Sequence, residues 1–151
     1  VDTRWNGGGD LVADLDMFFT GRKFFDYTTE TRPNGYEPHF RWTRPSIVIA
    51  NQGNYSDGHC FAWTVKLHSI GKLVGTPVPG TCTFAGGTGL LDGVSFGAPS
   101  VGVRDATTGR FLENWQTDPD ILVYNDAGSV AAGRDQQLEA AVAALLADID
   151  Q

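Results

Sequence analysis

The chain has 151 residues, of which 41% are hydrophobic and 19% are charged, so it is long enough for one globular domain with a substantial core. Its formal net charge of -7 at pH 7 argues against nucleic acid or an anionic membrane as the main partner, because both favour a basic patch. No apolar run approaches the ~18 residues that would predict a membrane span.

The first predicted elements are a strand-like start, a glycine turn and an amphipathic helix. Val1–Trp5 looks like half a strand, so we expect a fragment of a longer protein that lacks its N-terminal part. The turn Asn6–Gly9 allows positive φ and exposes N–H groups that could bind an anion, although a plain tight turn is the alternative. Asp10 is the expected helix cap, and the helical spacing is that of Leu11, Leu15, Phe18 and Phe19.

The region between residues 21 and 44 is predicted to be irregular. A short strand is expected at Arg22–Phe25 and a loop at 31–38, because turn-forming residues are dense there. Basic and aromatic residues alternate after this loop, at His39, Arg41, Trp42 and Arg44. In an acidic chain with no second cluster of this kind, the pattern carries little weight as a nucleic-acid site.

A buried strand, a turn and a helix follow. The β-branched run Pro45–Ala50 is typical of a parallel strand covered on both faces. A helix is predicted over 57–70, with Gly71 as the residue that ends it. The short strand Lys72–Thr76 would complete a β-α-β unit with a right-handed crossover.

Ser56 lies at the turn between this strand and this helix. Its hydroxyl would stand beside the N–H groups of Asp57 and Gly58 at the helix start, as acyl transfer requires. The glycine turn at 7–9 could supply a second oxyanion donor. Capping of the helix by Ser56 is the alternative, and Asn54 stands where the nucleophile elbow GxSxG has its first glycine.

The rest of the chain predicts hairpins, one strand and a final helix. Turns are expected at Leu91–Gly93 and Thr108–Gly109, and a strand at Ile121–Tyr124. A loop to residue 134 precedes a helix capped by Asp135. The expected packing face of this helix is Leu138, Val142, Leu145 and Ile149.

Other chemistry is less well supported. A metal site from His39, His59, His68 and the two cysteines is disfavoured, since His59 and His68 would lie on opposite faces of one helix. A carboxylate pair at Asp118 and Asp120 looks like turn formation around a proline. The run 6–10 lacks the spacing of a nucleotide-binding loop, and neither a metal nor a cofactor is predicted.

Two further points concern the cysteines and the general base. Cys60 and Cys82 are interpreted as buried thiols of a reducing compartment, with one disulfide in an exported protein as the alternative. A serine nucleophile needs a base, and His59 is near in sequence but on the same predicted helix. A base usually comes from another element, so either it lies elsewhere or the chain is no enzyme by itself.

Six ordered segments together resemble one peptidase family. Over nearly the whole chain they closely resemble the catalytic core of the tricorn-type and C-terminal-processing (tail-specific) serine peptidases. The segments are Asp2–Gly9, Ile47–Asn51, Tyr55–Gly58, Gly71–Thr76, Leu112–Asn114 with Asp118–Asp120, and Gly133–Asp135 with Gln137–Leu138.

This resemblance implies a fold and a set of site residues. The fold is α/β, a ClpP/crotonase-like core with a mixed sheet, a Gly-rich β segment and a C-terminal helix. Ser56 would be the nucleophile, and the N–H groups of Gly9 and Asp57 the oxyanion hole. Glu113 would match the glutamate that acts, through a second serine, on the histidine base. That Ser-His pair would lie upstream, and the 151 residues contain none.

The resemblance also bears on specificity. The position that recognises a basic P1 side chain in tricorn falls at Asp26 or Tyr27, which are therefore candidate substrate-binding residues. If Tyr27 is the counterpart, a preference for basic P1 residues is not expected.

We therefore interpret residues 1–151 as a single catalytic subdomain of a serine peptidase, inactive alone because its base is missing. The expected partners are a peptide or unfolded protein as substrate and upstream domains of the same polypeptide, with oligomers allowed. The cell is taken to be bacterial, and the compartment stays open between periplasmic or exported and cytoplasmic. The alternatives are a catalytically silent binding or scaffold domain of this fold, and crotonase-type acyl-CoA chemistry.

Overall fold

The computed structural model describes residues 1–150. Four α-helices and seven β-strands alternate along these residues, with one short 3-10 turn at Leu91–Gly93. In chain order they are α1 (Val12–Thr20), β1 (Phe25–Thr28), β2 (Pro33–Glu37), β3 (Ile47–Ala50), α2 (Asp57–Leu67), β4 (Lys72–Gly75), β5 (Thr83–Gly89), β6 (Ser95–Gly102), β7 (Ile121–Leu122), α3 (Ala127–Ala131) and α4 (Gln136–Ile149). The predicted α/β class is confirmed.

The central layer is a three-stranded parallel sheet in the order β3-β4-β7. All four residues of β3 are buried, which explains why the strand consists of Ile, Val and Ala without alternation. The predicted strand at the N-terminus is reduced to a single parallel bridge between Asp2 and Ile49. The parallel pairs lie in this sheet, while antiparallel pairing forms two separate hairpins and two isolated bridges.

Helices cover both faces of this sheet, so the β-α-β unit β3-α2-β4 was predicted correctly. On one face Val48 and Leu73 pack with Phe61 and Val65 of α2, and α1 lies against this cluster. On the other face Ile47, Ile49 and Val74 pack against Ala141 of α4. The turn after β3 therefore lies between a strand and a helix that both pack in the core.

The region predicted as irregular forms a hairpin, β1–β2, so the predicted strand and loop bounds are wrong there. The turn falls at 29–32, where the N–H of Thr29 donates to the carbonyl of Arg32 over 2.9 Å. The turn-like residues that follow, Asn34 and Gly35, belong to β2. The second hairpin, β5–β6, reverses through Asp92 and Gly93, as predicted, and both residues have positive φ.

The helix boundaries differ from prediction in two places. Asp10 does not cap α1, because the N-cap position is Leu11 and no side chain caps it. Helix α2 ends at Leu67, and Ser69, with a φ of 53°, takes the left-handed position expected at Gly71. Gly71 instead packs so closely on the carbonyl of Ser46 that a side chain would collide with it.

The final helix α4 was predicted correctly, and Asp135 caps it by accepting a hydrogen bond from the N–H of Leu138 over 3.0 Å. Of its predicted packing face, Leu145 lies against the sheet and the other three residues do not. Leu138, Val142 and Ile149 are 46%, 48% and 57% exposed, and the sheet is contacted mainly by small residues and one amide. The small residues are Ala140, Ala141 and Ala144, the amide is that of Gln137, and Leu145 is the one large apolar side chain among them. Alanines allow the helix to approach the sheet closely, which a count of large apolar residues does not detect.

The helices are short. The longest, α4, has 14 residues, and none of the helices in the described part of the chain is long and apolar enough to cross a membrane.

Candidate active site

Ser56 occupies the N-cap position of α2 with a φ of 52° and a ψ of -120°. Its side chain does not cap the helix, and within residues 1–150 its Oγ makes no hydrogen bond. The capping alternative for Ser56 is therefore wrong. A non-glycine residue in this backbone region costs roughly 1–3 kcal/mol and persists only where its surroundings enforce it.

Three hydrogen bonds hold the backbone N–H and carbonyl of Ser56. Its N–H donates to Thr81 Oγ1 over 3.0 Å. Its carbonyl accepts from the N–H groups of His59 and Cys60, over 2.9 and 3.1 Å, in the first turn of α2. Both polar groups of the strained residue are thus paired, while its hydroxyl is left unpaired.

The glycine turn lies directly against Ser56. A β-carbon at Gly8 would come within 2.8 Å of Ser56 Cβ and 3.3 Å of Ser56 Oγ. Two hydrogen bonds join the two turns: Tyr55 N–H to the carbonyl of Asn6, at 2.9 Å, and Leu11 N–H to the carboxylate of Asp57, at 2.9 Å. The structure therefore brings the two predicted turns together.

Three N–H groups in these turns have no acceptor within residues 1–150, namely those of Gly7, Gly9 and Asp57. The neighbouring donors are occupied, since Gly8 N–H donates to Asn6 Oδ1 over 2.8 Å and Gly58 N–H to the carbonyl of Tyr55 over 2.9 Å. Unpaired backbone donors beside a serine hydroxyl suit a developing oxyanion. The assignment of Gly9 and Asp57 as an oxyanion hole stays a prediction.

Two buried asparagines, Asn54 and Asn51, hydrogen-bond the backbone that leads into the Ser56 turn. Asn54 is 2% exposed; its Oδ1 accepts the N–H of Asn51 over 2.9 Å and its amide donates to the carbonyl of Thr3 over 2.9 Å. The Oδ1 of Asn51 in turn accepts the N–H groups of Trp5 and Gly53. The residue that replaces the first glycine of GxSxG thus ties the end of β3 to the N-terminal segment.

His59 is completely buried and is not placed to act as a base. Its Nδ1 accepts the N–H groups of Thr81 and Cys82, over 3.1 and 3.0 Å. The ring proton must then be on Nε2, which donates to Thr117 Oγ1 over 3.1 Å. Burial lowers the pKa of His59 to about 4, so both ring nitrogens are committed and the ring is neutral.

The other two histidines are also occupied elsewhere. His39 lies 3.4 Å from Glu37, and His68 Nδ1 lies 2.6 Å from Asp16. Among the described residues, none of the three histidines hydrogen-bonds Ser56. Within the same residues, no group of three or more His, Cys, Asp or Glu side chains is arranged to hold a metal ion.

Cys60 and Cys82 form a disulfide, so their interpretation as free thiols is wrong. The bond joins the first turn of α2 to the residue after Thr81, and the two Cα atoms are 5.1 Å apart. The pairing spans 22 residues and leaves no local pattern in the sequence.

Glu113 lies in an exposed loop that runs beside the segment carrying Thr81. The N–H of Asn114 donates to the carbonyl of Gly80 over 2.8 Å, and Thr117 forms an antiparallel bridge with Val78. The carboxylate of Glu113 makes no hydrogen bond or ion pair within residues 1–150. The structure thus places the backbone of the Glu113 loop near Thr81, whose hydroxyl accepts the N–H of Ser56. The side chain of Glu113 has no partner within residues 1–150.

Asp26 and Tyr27 lie on β1, whose residues are all exposed. Asp26 pairs with Lys23 at 2.8 Å. The hydroxyl of Tyr27 donates to Glu37 over 3.2 Å, and desolvation together with this carboxylate raises the pKa of Tyr27. Neither hydrogen-bonds the Ser56 turn, so their predicted role in substrate binding remains a prediction.

A largely apolar pocket of about 240 Å³ runs along one face of α2, beginning beside Asp57. It is closed on one side by the disulfide and on the other by β5 and the loop before Glu113. Its main apolar lining is Val12, Trp63, Leu67, Phe84, Val103 and Leu112. Sequence patterns did not indicate this pocket, because its walls come from five separated segments.

An ion-pair network around Arg4 joins the first and the last of the segments that resemble the peptidase family. Arg4 contacts Asp2 and Asp135, each at 2.7 Å, and donates to Gln137 Oε1 over 3.1 Å. Hydrogen bonding to Arg4 is the main cause of the lowered pKa of Asp135. These residues therefore hold α4 to the N-terminal segment.

The chain is similar to known peptidases in sequence and in structure. The model of Peptidase family S41 matches residues 1–123. The tricorn-like protease C-terminal subunit of Sulfurisphaera tokodaii is 31% identical over 160 residues, covering 100% of this chain and 18% of the relative. The crystal structure of the tricorn protease superposes with a TM-score of 0.85 at 25% identity, covering 100% of this chain and 15% of that one.

A second structural match concerns the fold alone. The photosystem II D1 C-terminal processing protease superposes with a TM-score of 0.54 at 21% identity, over 81% of this chain and 33% of that one. The chain spans less than a fifth of the length of the tricorn-like relative.

Proposed function

We propose, because the chain belongs to peptidase family S41, that it supplies the nucleophile side of a serine peptidase active site. The observation that carries this proposal is the unpaired hydroxyl of Ser56, held at a strained turn against a glycine loop. A strained serine that neither caps its helix nor bonds elsewhere is poorly explained by a structural role.

The proposed reaction is peptide hydrolysis through an acyl-enzyme. Ser56 Oγ attacks the scissile carbonyl and gives its proton to a general base, and the C–N bond then breaks as the amine takes up that proton. Water hydrolyses the resulting ester. The N–H groups of Gly9 and Asp57 would stabilise the tetrahedral oxyanion in both steps.

We propose that the base comes from outside the 151 residues. In support, the ring nitrogens of His59 are committed to Thr117, Thr81 and Cys82, and neither His39 nor His68 contacts Ser56. Glu113, which lacks a partner within residues 1–150, would act on that base through groups supplied by the rest of the protein. The 151-residue chain alone should then be inactive.

The substrate would be a peptide or unfolded protein, bound by the apolar pocket beside Asp57 through one of its side chains. Asp26 and Tyr27 would contact it only if it extends to β1. Upstream domains of the same polypeptide remain the proposed partners, and oligomers are allowed. The disulfide favours the exported over the cytoplasmic alternative for the compartment, since such bonds persist under oxidising conditions.

The test uses the full-length protein and a fluorophosphonate probe. Covalent labelling of Ser56, abolished in Ser56→Ala, is the expected result, together with a loss of several orders of magnitude in turnover. Glu113→Gln should reduce turnover without changing the fold. Turnover that survives Ser56→Ala would refute the assignment of Ser56 as the nucleophile. Peptide hydrolysis by residues 1–151 alone would refute the proposal that the base comes from outside these residues.

Two alternatives predict a different result. A catalytically silent scaffold of this fold, or an enzyme of crotonase-type acyl-CoA chemistry, has no need of a nucleophilic serine and should not be labelled at Ser56. The unpaired hydroxyl of Ser56 favours the peptidase over both.

A further inference from the structure

We propose that Thr81, itself held by the buried His59, is a positioning residue that fixes the backbone of Ser56 for attack. This inference rests on the proposed function of Ser56 as nucleophile. Thr81 would not touch the substrate; it would act through the Ser56 peptide.

The backbone of Ser56 is strained. With a φ of 52° and a ψ of -120°, the residue needs an external contact to keep this conformation. Its carbonyl is bonded by α2 itself, but its N–H points away from the helix and donates to Thr81 Oγ1 over 3.0 Å. Thr81 therefore supplies the side-chain contact on the non-helical side of the Ser56 peptide.

Thr81 is itself held in place by the side chain of His59 and by the disulfide of the next residue. The N–H groups of Thr81 and Cys82 both donate to Nδ1 of His59, and Cys82 is bonded covalently to Cys60. His59 and Cys60 lie three and four residues after Ser56, in the first turn of α2. The contacts thus form a closed ring from Ser56 through α2 to Thr81 and back to Ser56.

The ring extends toward Glu113 through His59. His59 Nε2 donates to Thr117 Oγ1 over 3.1 Å, and Thr117 exchanges two backbone hydrogen bonds of 2.9 Å with Val78. The segments on either side of the ring are therefore fixed relative to each other. A displacement of Thr81 would therefore change the position of Ser56 relative to the segment next to Glu113.

The experiment compares Thr81→Val with Thr81→Ser in the full-length protein. Val has nearly the shape of Thr but cannot accept the Ser56 N–H, whereas Ser keeps the acceptor. We expect Thr81→Val to slow fluorophosphonate labelling of Ser56 and to lower kcat by at least about tenfold, with KM nearly unchanged, because small misplacements of reacting groups have effects up to about 10²-fold. Thr81→Ser should stay within about threefold of wild type in both.

A second measurement does not depend on activity. The amide of Ser56 should exchange with solvent more slowly than the unpaired amides of Gly9 and Asp57, and Thr81→Val should remove this protection while Thr81→Ser keeps it. If Thr81→Val does not fold, Thr81→Ala serves for the same comparison. His59→Asn, which offers an oxygen near the Nδ1 position, should retain more labelling than His59→Leu.

The possible failures are distinguishable. Wild-type protein that is not labelled at Ser56 overturns the proposed function and this inference with it. Wild-type protein that is labelled, with Thr81→Val labelled at the same rate per folded molecule, overturns the inference alone. A lowered melting temperature with an unchanged labelling rate would show a merely structural contact, and would also overturn it.

Discussion

The backbone of Gly8 lies so close to the side chain of Ser56 that no side chain fits at residue 8. Gly8 has a φ of 109°, and a β-carbon there would lie 2.8 Å from Ser56 Cβ. The glycine turn is thereby a steric partner of the serine, in addition to exposing N–H groups.

The first prediction concerns this contact. Gly8→Ala should slow fluorophosphonate labelling of Ser56 in the full-length protein by at least about tenfold, since the new methyl group must displace the serine. It should also lower the free energy of unfolding by about 1 kcal/mol or more, because alanine disfavours positive φ. Gly7→Ala is the matched control, as a β-carbon at Gly7 meets no atom within 4 Å. Equal effects of the two substitutions would contradict the contact.

The second prediction concerns the strain at Ser56. Ser56→Gly should be more stable than Ser56→Ala by about 1 kcal/mol, because glycine adopts a φ of 52° without penalty. Neither variant loses a side-chain hydrogen bond, since Ser56 Oγ makes none within residues 1–150. Urea unfolding of residues 1–151 measures the difference. Identical midpoints would mean that the backbone of Ser56 is not strained.

The third prediction concerns the disulfide. The Cys60→Ser, Cys82→Ser double variant should lose roughly 3 kcal/mol of stability, as expected for a cross-link that closes a loop of 22 residues. Denatured wild-type protein should show no titratable thiol before reduction. Reduction of the wild type should reproduce the loss, and a stable reduced form with an unchanged unfolding midpoint would contradict it.

The fourth prediction concerns pH. The folded-state pKa of His59 is about 4, below its unfolded value, so the unfolded state binds the extra proton between about pH 6.5 and 4. The contribution of the neutral ring to stability is therefore complete above pH 6.5 and is lost as the pH falls through this window, by up to roughly 3 kcal/mol. In His59→Gln this part of the pH dependence should disappear.

An NMR titration checks the same group directly. The ring signals of His59 should shift near pH 4, and those of a histidine with an ordinary pKa near 6.5. A midpoint for His59 near 6.5 would show that the ring is hydrated, against its complete burial.

Local sequence signals sufficed for the β-α-β unit and for the meeting of the two turns. The β-branched run at β3 and the helical run after Ser56 are patterns of neighbouring residues within one element. The strand and the helix were therefore predicted with small boundary errors. The hairpin β1–β2 was missed because Asn34 and Gly35, which usually mark turns, lie inside a strand.

The contacts that hold Ser56 could not be predicted, because they join distant residues. The hydrogen bond to Thr81 spans 25 residues, and the bond from His59 to Thr117 spans 58. A threonine and a histidine carry no pattern that reveals such partners. Most of the face of α4 was missed for a related reason, since alanines pack as closely as leucines but look less apolar in the sequence.

The disulfide beside Ser56 also has a consequence for the order in which this turn is completed. A newly made chain in a reducing compartment would carry Ser56 on a turn that is closed only by hydrogen bonds to Thr81 and within α2. Oxidation of Cys60 and Cys82 would then complete the turn after folding. The turn that carries Ser56 would thus be closed covalently only once the chain meets oxidising conditions.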